Sequence, residues 1–213
     1  MALVKPSNTT FAKIKVVGVG GAGCNAIRRM RKCKIQGVEL IAINTDSQDL
    51  KKARADLRVQ IGKNLTKGLG AGMNPEVGRE AAEEQKEEIK GVLRGADMVF
   101  ITAGLGGGTG SGASPVVAEI AKSLGALTVA VVTKPFSFEG VNRMKIAENS
   151  LKKTKEKVDT LLTISNDKLF SILEPNTPFN SAFWQCDEIL REVVQGISDL
   201  IMLPGIVNLD LAD

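Results

Sequence analysis

Nine residues near the middle of the chain constrain its fold more than any other segment. They are Gly104-Leu105-Gly106-Gly107-Gly108-Thr109-Gly110-Ser111-Gly112, and six of them are glycine. They lie between an apolar run, Asp97 to Ala103, and a helical pattern from about Ser114 to Leu124. Glycine in such a strand-to-helix turn permits positive φ and lets main-chain N–H groups approach a ligand with no Cβ in the way. Amides at a helix N-terminus lack acceptors within the helix, and the helix dipole is positive there. The segment therefore reads as a phosphate cradle, with Thr109 offering a hydroxyl.

The rest of the chain repeats the alternation. Strands are predicted at Lys13 to Val19, Val38 to Asn44, Leu57 to Ile61, Asp97 to Ala103, Leu127 to Thr133 and Thr160 to Ser165. Helices are predicted from about Asn25 to Lys34, Pro75 to Gly91, Ser114 to Leu124 and Gly140 to Lys157, with long loops at Gly62 to Pro75 and Lys134 to Gly140. Apolar β-branched runs that alternate with helices predict an α/β fold of three layers: a mostly parallel, Rossmann-like sheet with helices on both faces. A longer helix, 179–203, follows. Phe183, Leu190, Val194, Ile197 and Ile201 share one of its faces, and Ile189, Val193 and Leu200 an adjoining one. An apolar arc that wide predicts packing on two sides and, where one side is left open, self-association. The expected organisation is a flexible segment 1–11, a nucleotide-binding unit 12–178, the long helix 179–203 and a terminal loop 204–213.

Composition narrows the chemistry. The 213 residues contain no histidine, which removes Ser-His and Cys-His catalysis and disfavours zinc. No metal site is expected in the protein itself. The three cysteines (Cys24, Cys33, Cys186) have no paired spacing, as in a reducing compartment. A net charge of +4 and 4% aromatic residues give no footprint for nucleic acid. No apolar run has the length of a membrane span and the N-terminus has no signal-peptide core, so a cytoplasmic protein without direct membrane insertion is expected. The basic run Arg28-Arg29-Met30-Arg31-Lys32 and the Glu-rich stretch Glu80 to Lys90 read as solvated helix faces.

A second glycine turn, Gly18, Gly20 and Gly23, satisfies G-x-G-x-x-G between a strand and a helix, with Asp46 about twenty residues on. Alone it fits a dinucleotide-binding fold or a plain tight turn. Two glycine-rich strand–helix turns in one sheet, with Gly68, Gly70 and Gly72 between them, favour several N–H cradles converging on one triphosphate. The lysine-bearing P-loop pattern is absent, so backbone dipoles and a metal ion must neutralise the charge.

With these residues in view the chain resembles the tubulin/FtsZ superfamily, and its FtsZ branch in particular. Gly106 to Gly112 matches the signature GGGTG[ST]G; GVGGAGCNA (18–26), NTD (44–46), TKGLGAGMNPEVG (66–78), VVTKPFSFEG (131–140) and NLDLAD (208–213) support it. The resemblance runs from about residue 13 to 213. It implies a GTP/GDP site. Gly20, Gly21, Ala22, Gly23, Cys24 and Asn25 would approach the phosphates and base, Ala71, Gly72 and Met73 the γ-phosphate, and Gly107, Gly108, Thr109 and Gly110 the phosphates. Glu139 and Arg143 would contact the ribose and phosphate region, and Asn166, Phe183 and Asp187 would form the guanine pocket. Mg²⁺ is expected to be held mainly through the phosphates. By pattern alone Phe183 is also a natural core anchor, Asp187 an exposed helix carboxylate, and Glu139–Arg143 a surface pair.

The resemblance further implies head-to-tail filaments for cell division, placed at the division site. The terminal loop, with Asn208, Asp210 and Asp213, would complete the catalytic site of the next subunit. By pattern alone Asn208 and Asp210 read as a helix N-cap and first-turn carboxylate. The family continues into a second domain and a variable tail, so the sequence reads as a fragment. Trp184 departs from the family pattern, where a small residue is more usual, and is expected to alter the packing of the pocket. Two other readings are an NAD-dependent oxidoreductase and a non-hydrolysing GTP-binding regulator of filaments.

Overall fold

The computed structural model describes residues 12–35, 37–170 and 178–202. Six strands form one sheet: β1 (Ile14–Val19), β2 (Val38–Asn44), β3 (Leu57–Gln60), β4 (Met98–Gly104), β5 (Leu127–Lys134) and β6 (Thr160–Ser165). Their order is β3-β2-β1-β4-β5-β6 and every pairing is parallel. Strand order reverses between β1 and β4, which lie side by side with Val19 opposite Ala103. The two glycine turns therefore leave the sheet from adjacent strand ends, at the switch point where open α/β sheets bind ligands.

Helices cover both faces. On one side α3 (Pro75–Glu84), α4 (Lys86–Leu93), α5 (Gly108–Ser123) and α6 (Val141–Lys155) pack on Val17, Ile41, Ile101 and Val132. On the other, α1 (Gly20–Lys32) and α8 (Phe179–Met202) pack on Ile14, Val16, Phe100 and Val131. Alternation along β1, Val16 to one core and Val17 to the other, follows from the two-residue period of a strand. A short α2 (Ser47–Lys52) adds Leu50 beside Cys24 and Ala42, and α7 (Asn166–Phe170) follows β6.

Three differences from the sequence reading have physical causes. First, α1 begins at Gly20 and α5 at Gly108, several residues earlier than glycine's poor helix propensity suggests. The glycines are themselves the first helical turns, and close packing requires them there. A Cβ on Gly112 would lie 1.9 Å from the Pro75 carbonyl oxygen, and one on Gly78 would lie 2.3 Å from that of Gly108. Second, the expected helix over Pro75 to Gly91 is two helices broken at Gln85, whose side-chain oxygen accepts from the Gly62 N–H. Third, α8 buries Leu190 and Val194 and half-buries Val193 and Ile197 against the second core, whereas Phe183 is 43% exposed and is not a core anchor. The side chains of Leu200 and Ile201 lie outside the described residues. Pro115 inside α5 has no N–H to bond the Ser111 carbonyl, and the Ser150 hydroxyl of α6 donates to it at 2.7 Å instead.

Candidate functional site

A cavity of about 340 Å³ opens at the carboxyl ends of β1, β4 and β5. Its floor is formed by Gly21 and Ala22 of α1 and by Gly107, Gly108, Thr109 and Gly110 at the start of α5, with Gly72 beside them. Glu139, Arg143 and Asn166 form one wall, and Phe183, Cys186 and Asp187 of α8 another. Three glycine-bearing turns, far apart in sequence, thus share one hollow. The volume lies at the lower end of the ~300–1000 Å³ found for small-molecule sites.

The floor is built to receive an anion. Neither α1 nor α5 has a side-chain cap or an acidic residue in its first turn. By contrast α2 is capped by Asp46 and α3 by Asn74, and each carries a first-turn acid, Asp49 and Glu76. Two helix N-termini are therefore left electrostatically uncompensated where they converge. The Gly108 N–H is already used, donating to the Gly72 carbonyl at 2.8 Å, which fixes the third loop against α5. The Thr109 and Thr45 hydroxyls are 2.6 Å apart, so the Thr109 side chain is oriented by the end of β2. Thr45 is a residue the sequence reading passed over; its signal was the NTD segment that contains it.

The walls combine an aromatic ring, an amide, a cation and two carboxylates. Asn166 is 5% exposed and its Oδ1 has no hydrogen-bond partner, although it lines the cavity. An unpaired buried acceptor costs about 1–3 kcal/mol, which a ligand donor would recover. The Phe183 ring stands edge-on to Phe136, centroids 5.1 Å apart, leaving it half-exposed at the cavity. Arg143 Nη1 donates to Glu139 Oε2 at 2.6 Å, while Glu139 Oε1 accepts from the Phe136 N–H at 2.8 Å. Glu139 is thus pinned at 12% side-chain exposure and is not a loose surface group. Burial pushes the Asp187 carboxyl up to about 6, against the opposing pull of Arg29 and then Arg28. Burial, with the charges of Asp187 and Glu139, pushes the Cys186 thiol up to about 12.

Not every expected residue reaches the cavity. Gly20, with φ +72°, makes the turn, and a Cβ there would meet the Gly110 nitrogen at 2.9 Å. Gly23 faces the sheet: its Cβ would lie 2.5 Å from the Thr102 carbonyl oxygen. Cys24 is buried beside Leu50 and Ala53, and burial raises its thiol to about 12. Cys24 and Asn25 border a small hollow with Arg28 and Asp49 rather than the main cavity. Ala71 is buried with its carbonyl against Gly108, and Met73 is exposed beyond it. Arg29, read as solvent-facing, is instead only 14% exposed and lies beside Asp187. Gly104 and Leu105 of the glycine segment also line the cavity with Thr133, and so do Pro135 and Cys186, which the sequence did not mark as ligands. Asn208, Asp210 and Asp213 lie outside the described residues.

A larger groove, about 480 Å³, lies between α3, α5 and α6, bordered by the ion pairs Lys157–Glu119 at 2.8 Å and Lys153–Glu76 at 3.5 Å. It carries no helix N-terminus with open amides comparable to those of α1 and α5. Among the described residues no group of three or more Cys, Asp or Glu side chains is placed to hold a metal ion. No helix among them is long and apolar enough to cross a membrane.

Known proteins are similar to this chain in sequence and in fold. Residues 13–174 match the model of the Tubulin/FtsZ family, GTPase domain. The cell division protein FtsZ 1 of Thermococcus kodakarensis is 60% identical over 202 residues, and that of Pyrococcus furiosus 55%; each alignment covers 95% of this chain and 54% of the relative. The chain therefore spans about half the length of these relatives. Among solved structures, an empty FtsZ dimer from M. jannaschii matches with a TM-score of 0.92 at 54% identity, over 96% of this chain and 60% of that one. A GTPγS-bound protofilament of CetZ2 from Haloferax volcanii matches at 0.80 and 25% identity, over 91% and 60%. On the family-model match over residues 13–174, the identities and the structural match, the chain belongs to the Tubulin/FtsZ family and carries its GTPase domain.

Proposed function

We propose that this chain binds GTP and GDP in the cavity and, assembled head to tail with further copies, hydrolyses GTP as part of a filament that serves cell division. The observation that carries this reading is the convergence of two uncapped helix N-termini and the Gly72 loop beneath Asn166, whose Oδ1 has no partner, and Asp187, whose side chain is 15% exposed. The phosphates would lie on Gly21, Ala22 and Gly107 to Gly110. Phe183 would stack on the purine. The Asp187 carboxylate would accept from the guanine N1–H and exocyclic amine together, a donor pair that adenine lacks. With no carboxylate among the floor residues, Mg²⁺ would come with the phosphates, supplying charge neutralisation there.

Assembly over the cavity has its own support. Leu69, Met73, Phe138 and Val141 are exposed at 87%, 46%, 52% and 71%, and each is a few residues or fewer from a cavity-lining residue. Apolar side chains clustered in sequence around a site suit a neighbour seated over it. Such a heterologous contact does not close, so it builds open filaments. Asp210 and Asp213 of one subunit, with Asn208, are proposed to orient the water that attacks the γ-phosphate held by the next. A cytoplasmic protein recruited to the division site accords with this role.

The dinucleotide reading has less support. The strand order suits it, but Asp46, the acid that would bind a ribose, uses Oδ1 to accept from the Gln48 and Asp49 N–H groups at 2.8 and 3.1 Å as the cap of α2. It does not line the cavity.

The test is GTP turnover per chain measured against protein concentration, with ATP and NAD as binding controls. Turnover that rises with concentration supports assembly-completed hydrolysis. GTP binding without turnover at any concentration favours a non-hydrolysing regulator, and preference for NAD overturns the nucleotide assignment. Asp210→Ala should abolish turnover while leaving GTP affinity within about twofold, because the residue acts on water and not on binding.

A further inference from the structure

Behind Asp187, on the side that does not line the cavity, two residues form a clamp. Trp184 and Asp187 are three residues apart on α8, close to one helical turn. The Arg29 guanidinium from α1 reaches both. Its Cζ lies 4.3 Å from the centroid of the Trp184 ring, and its Nε lies 3.5 Å from Asp187 Oδ2. The side chains of Arg29 and Asp187 are only 14% and 15% exposed, so water screens the pair poorly. Arg29 Nε is buried with no hydrogen-bond partner, and the ion pair with Asp187 is its compensation. Asp187 lines the cavity; Arg29 and Trp184 do not. Arg28, the other cation facing Asp187 from α1, is engaged by Asn25 Oδ1 at 2.9 Å.

We propose that Arg29, held over the Trp184 ring, is a positioning residue that keeps the Asp187 carboxylate charged and in one orientation, and so sets how strongly the site prefers a base offering two adjacent N–H donors. The inference rests on the reading of Asp187 as the base-recognising group. A guanidinium over an indole face gains cation–π attraction. Fixed there, it opposes the tendency of burial to protonate Asp187. A protonated carboxyl would turn one acceptor into a donor and could no longer accept from both base N–H groups. Removing Arg29 would therefore weaken recognition of the second donor more than it weakens binding of the phosphates, which are held elsewhere.

The test compares the affinities of GDP, IDP and ADP for the chain and its variants by calorimetry. IDP carries the N1–H of GDP but lacks its exocyclic amine, so the GDP:IDP ratio isolates the second hydrogen bond. Arg29→Met, neutral and unbranched, should lower that ratio about tenfold, as expected for a lost charge-assisted bond, with a smaller loss for IDP, whose single N1–H bond the remaining carbonyl oxygen still accepts. Trp184→Ala should lower it in the same direction, and Trp184→Phe should restore most of it by keeping an aromatic face. Equal losses for GDP and IDP in Arg29→Met would mark Arg29 as merely structural and overturn the proposal. If Arg29→Met does not fold, Trp184→Ala at its half-exposed position decides, and an unchanged ratio there is equally fatal. A wild-type chain that prefers GDP to ADP while its variants keep the full GDP:IDP ratio removes the clamp alone. A wild-type chain with no such preference removes the base assignment on which the clamp depends.

Discussion

Gly107 and Gly112 lie five residues apart in one signature, yet they should fail in opposite ways when given a methyl group. Gly107 caps α5 with φ −99°, an ordinary extended conformation, and a Cβ there meets nothing within 4 Å. That open space is the cavity, which Gly107 lines. The loss of N-cap quality in Gly107→Ala is opposed by the lower entropy of the unfolded chain, and the two partly cancel at about 0.5–1 kcal/mol each. The melting temperature should move by no more than about 2 °C. Nucleotide binding should suffer, because the methyl group stands where a phosphate must meet the loop amides. Losing one charge-assisted hydrogen bond of ~1.5–3 kcal/mol weakens GDP by roughly 10- to 100-fold.

Gly112 lies one and a half turns further along α5, where α3 crosses. Its Cβ would be 1.9 Å from the Pro75 carbonyl oxygen and 2.6 Å from the Arg79 nitrogen, both backbone atoms that cannot rotate away. The helices must separate, at a cost at or above the ~3 kcal/mol upper end of ordinary overpacking. At about 2–4 °C per kcal/mol for a chain of this size, Gly112→Ala should melt ~6–12 °C lower. Thermal unfolding followed by far-ultraviolet circular dichroism, paired with GDP titration, reads both variants. A large melting loss in Gly107→Ala with unchanged affinity, or an unperturbed Gly112→Ala, would refute the division into ligand-facing and packing glycines.

Three further outcomes are expected. Asp187→Asn presents one acceptor and one donor in place of two acceptors; it should weaken GDP by about 10- to 100-fold and improve binding of XDP, whose base carries a carbonyl in place of the amine, as competition titration would show. The Asp187 pKa, raised by burial to about 6 above the ordinary carboxylate value of 3.8, gives a definite pH response. The folded chain holds this proton more tightly than the unfolded one, so its contribution to stability is full below pH ~4 and is lost as the pH rises through ~6. Guanine recognition needs the carboxylate and should strengthen over the same interval; the difference between wild type and Asp187→Asn, measured from pH 5 to 8, cancels the phosphate's own ionisation, and equal pH profiles would contradict it. Thr109→Val keeps the volume but leaves the buried Thr45 hydroxyl without its 2.6 Å partner, and should lower stability by about 1–3 kcal/mol in chemical denaturation.

Much of this was legible in the sequence because strands buried on both faces write long β-branched runs. All six strands fall within a residue or so of the expected positions, and β2 and β6 coincide with them. Helix starts were harder. Propensity moves them past the glycines at 20–23 and 108–112, whereas close packing makes those glycines the first turns. The short α2 and α7 carry too few apolar residues to show a period. At the site, the resemblance pointed to Gly107 to Gly110, Glu139, Arg143, Asn166, Phe183 and Asp187, and one cavity brings them together. Gly23 and Cys24 could not be separated from ligand-facing neighbours by pattern, because which side of a glycine turn meets the sheet depends on the crossing of α1 over β4. Arg29 was hidden for a related reason: in a run of basic residues nothing local marks the one that a tryptophan and an aspartate from a distant helix will enclose.

Whether three separate turns share one guanine nucleotide is answered by hydrogen–deuterium exchange with and without GDP. Peptides spanning 18–25, 66–74 and 104–112 should all gain protection at one and the same GDP midpoint, and NAD should leave them unchanged. Protection confined to 18–25, or produced by NAD and not by GDP, would contradict a single triphosphate-type cradle at the junction of β1 and β4.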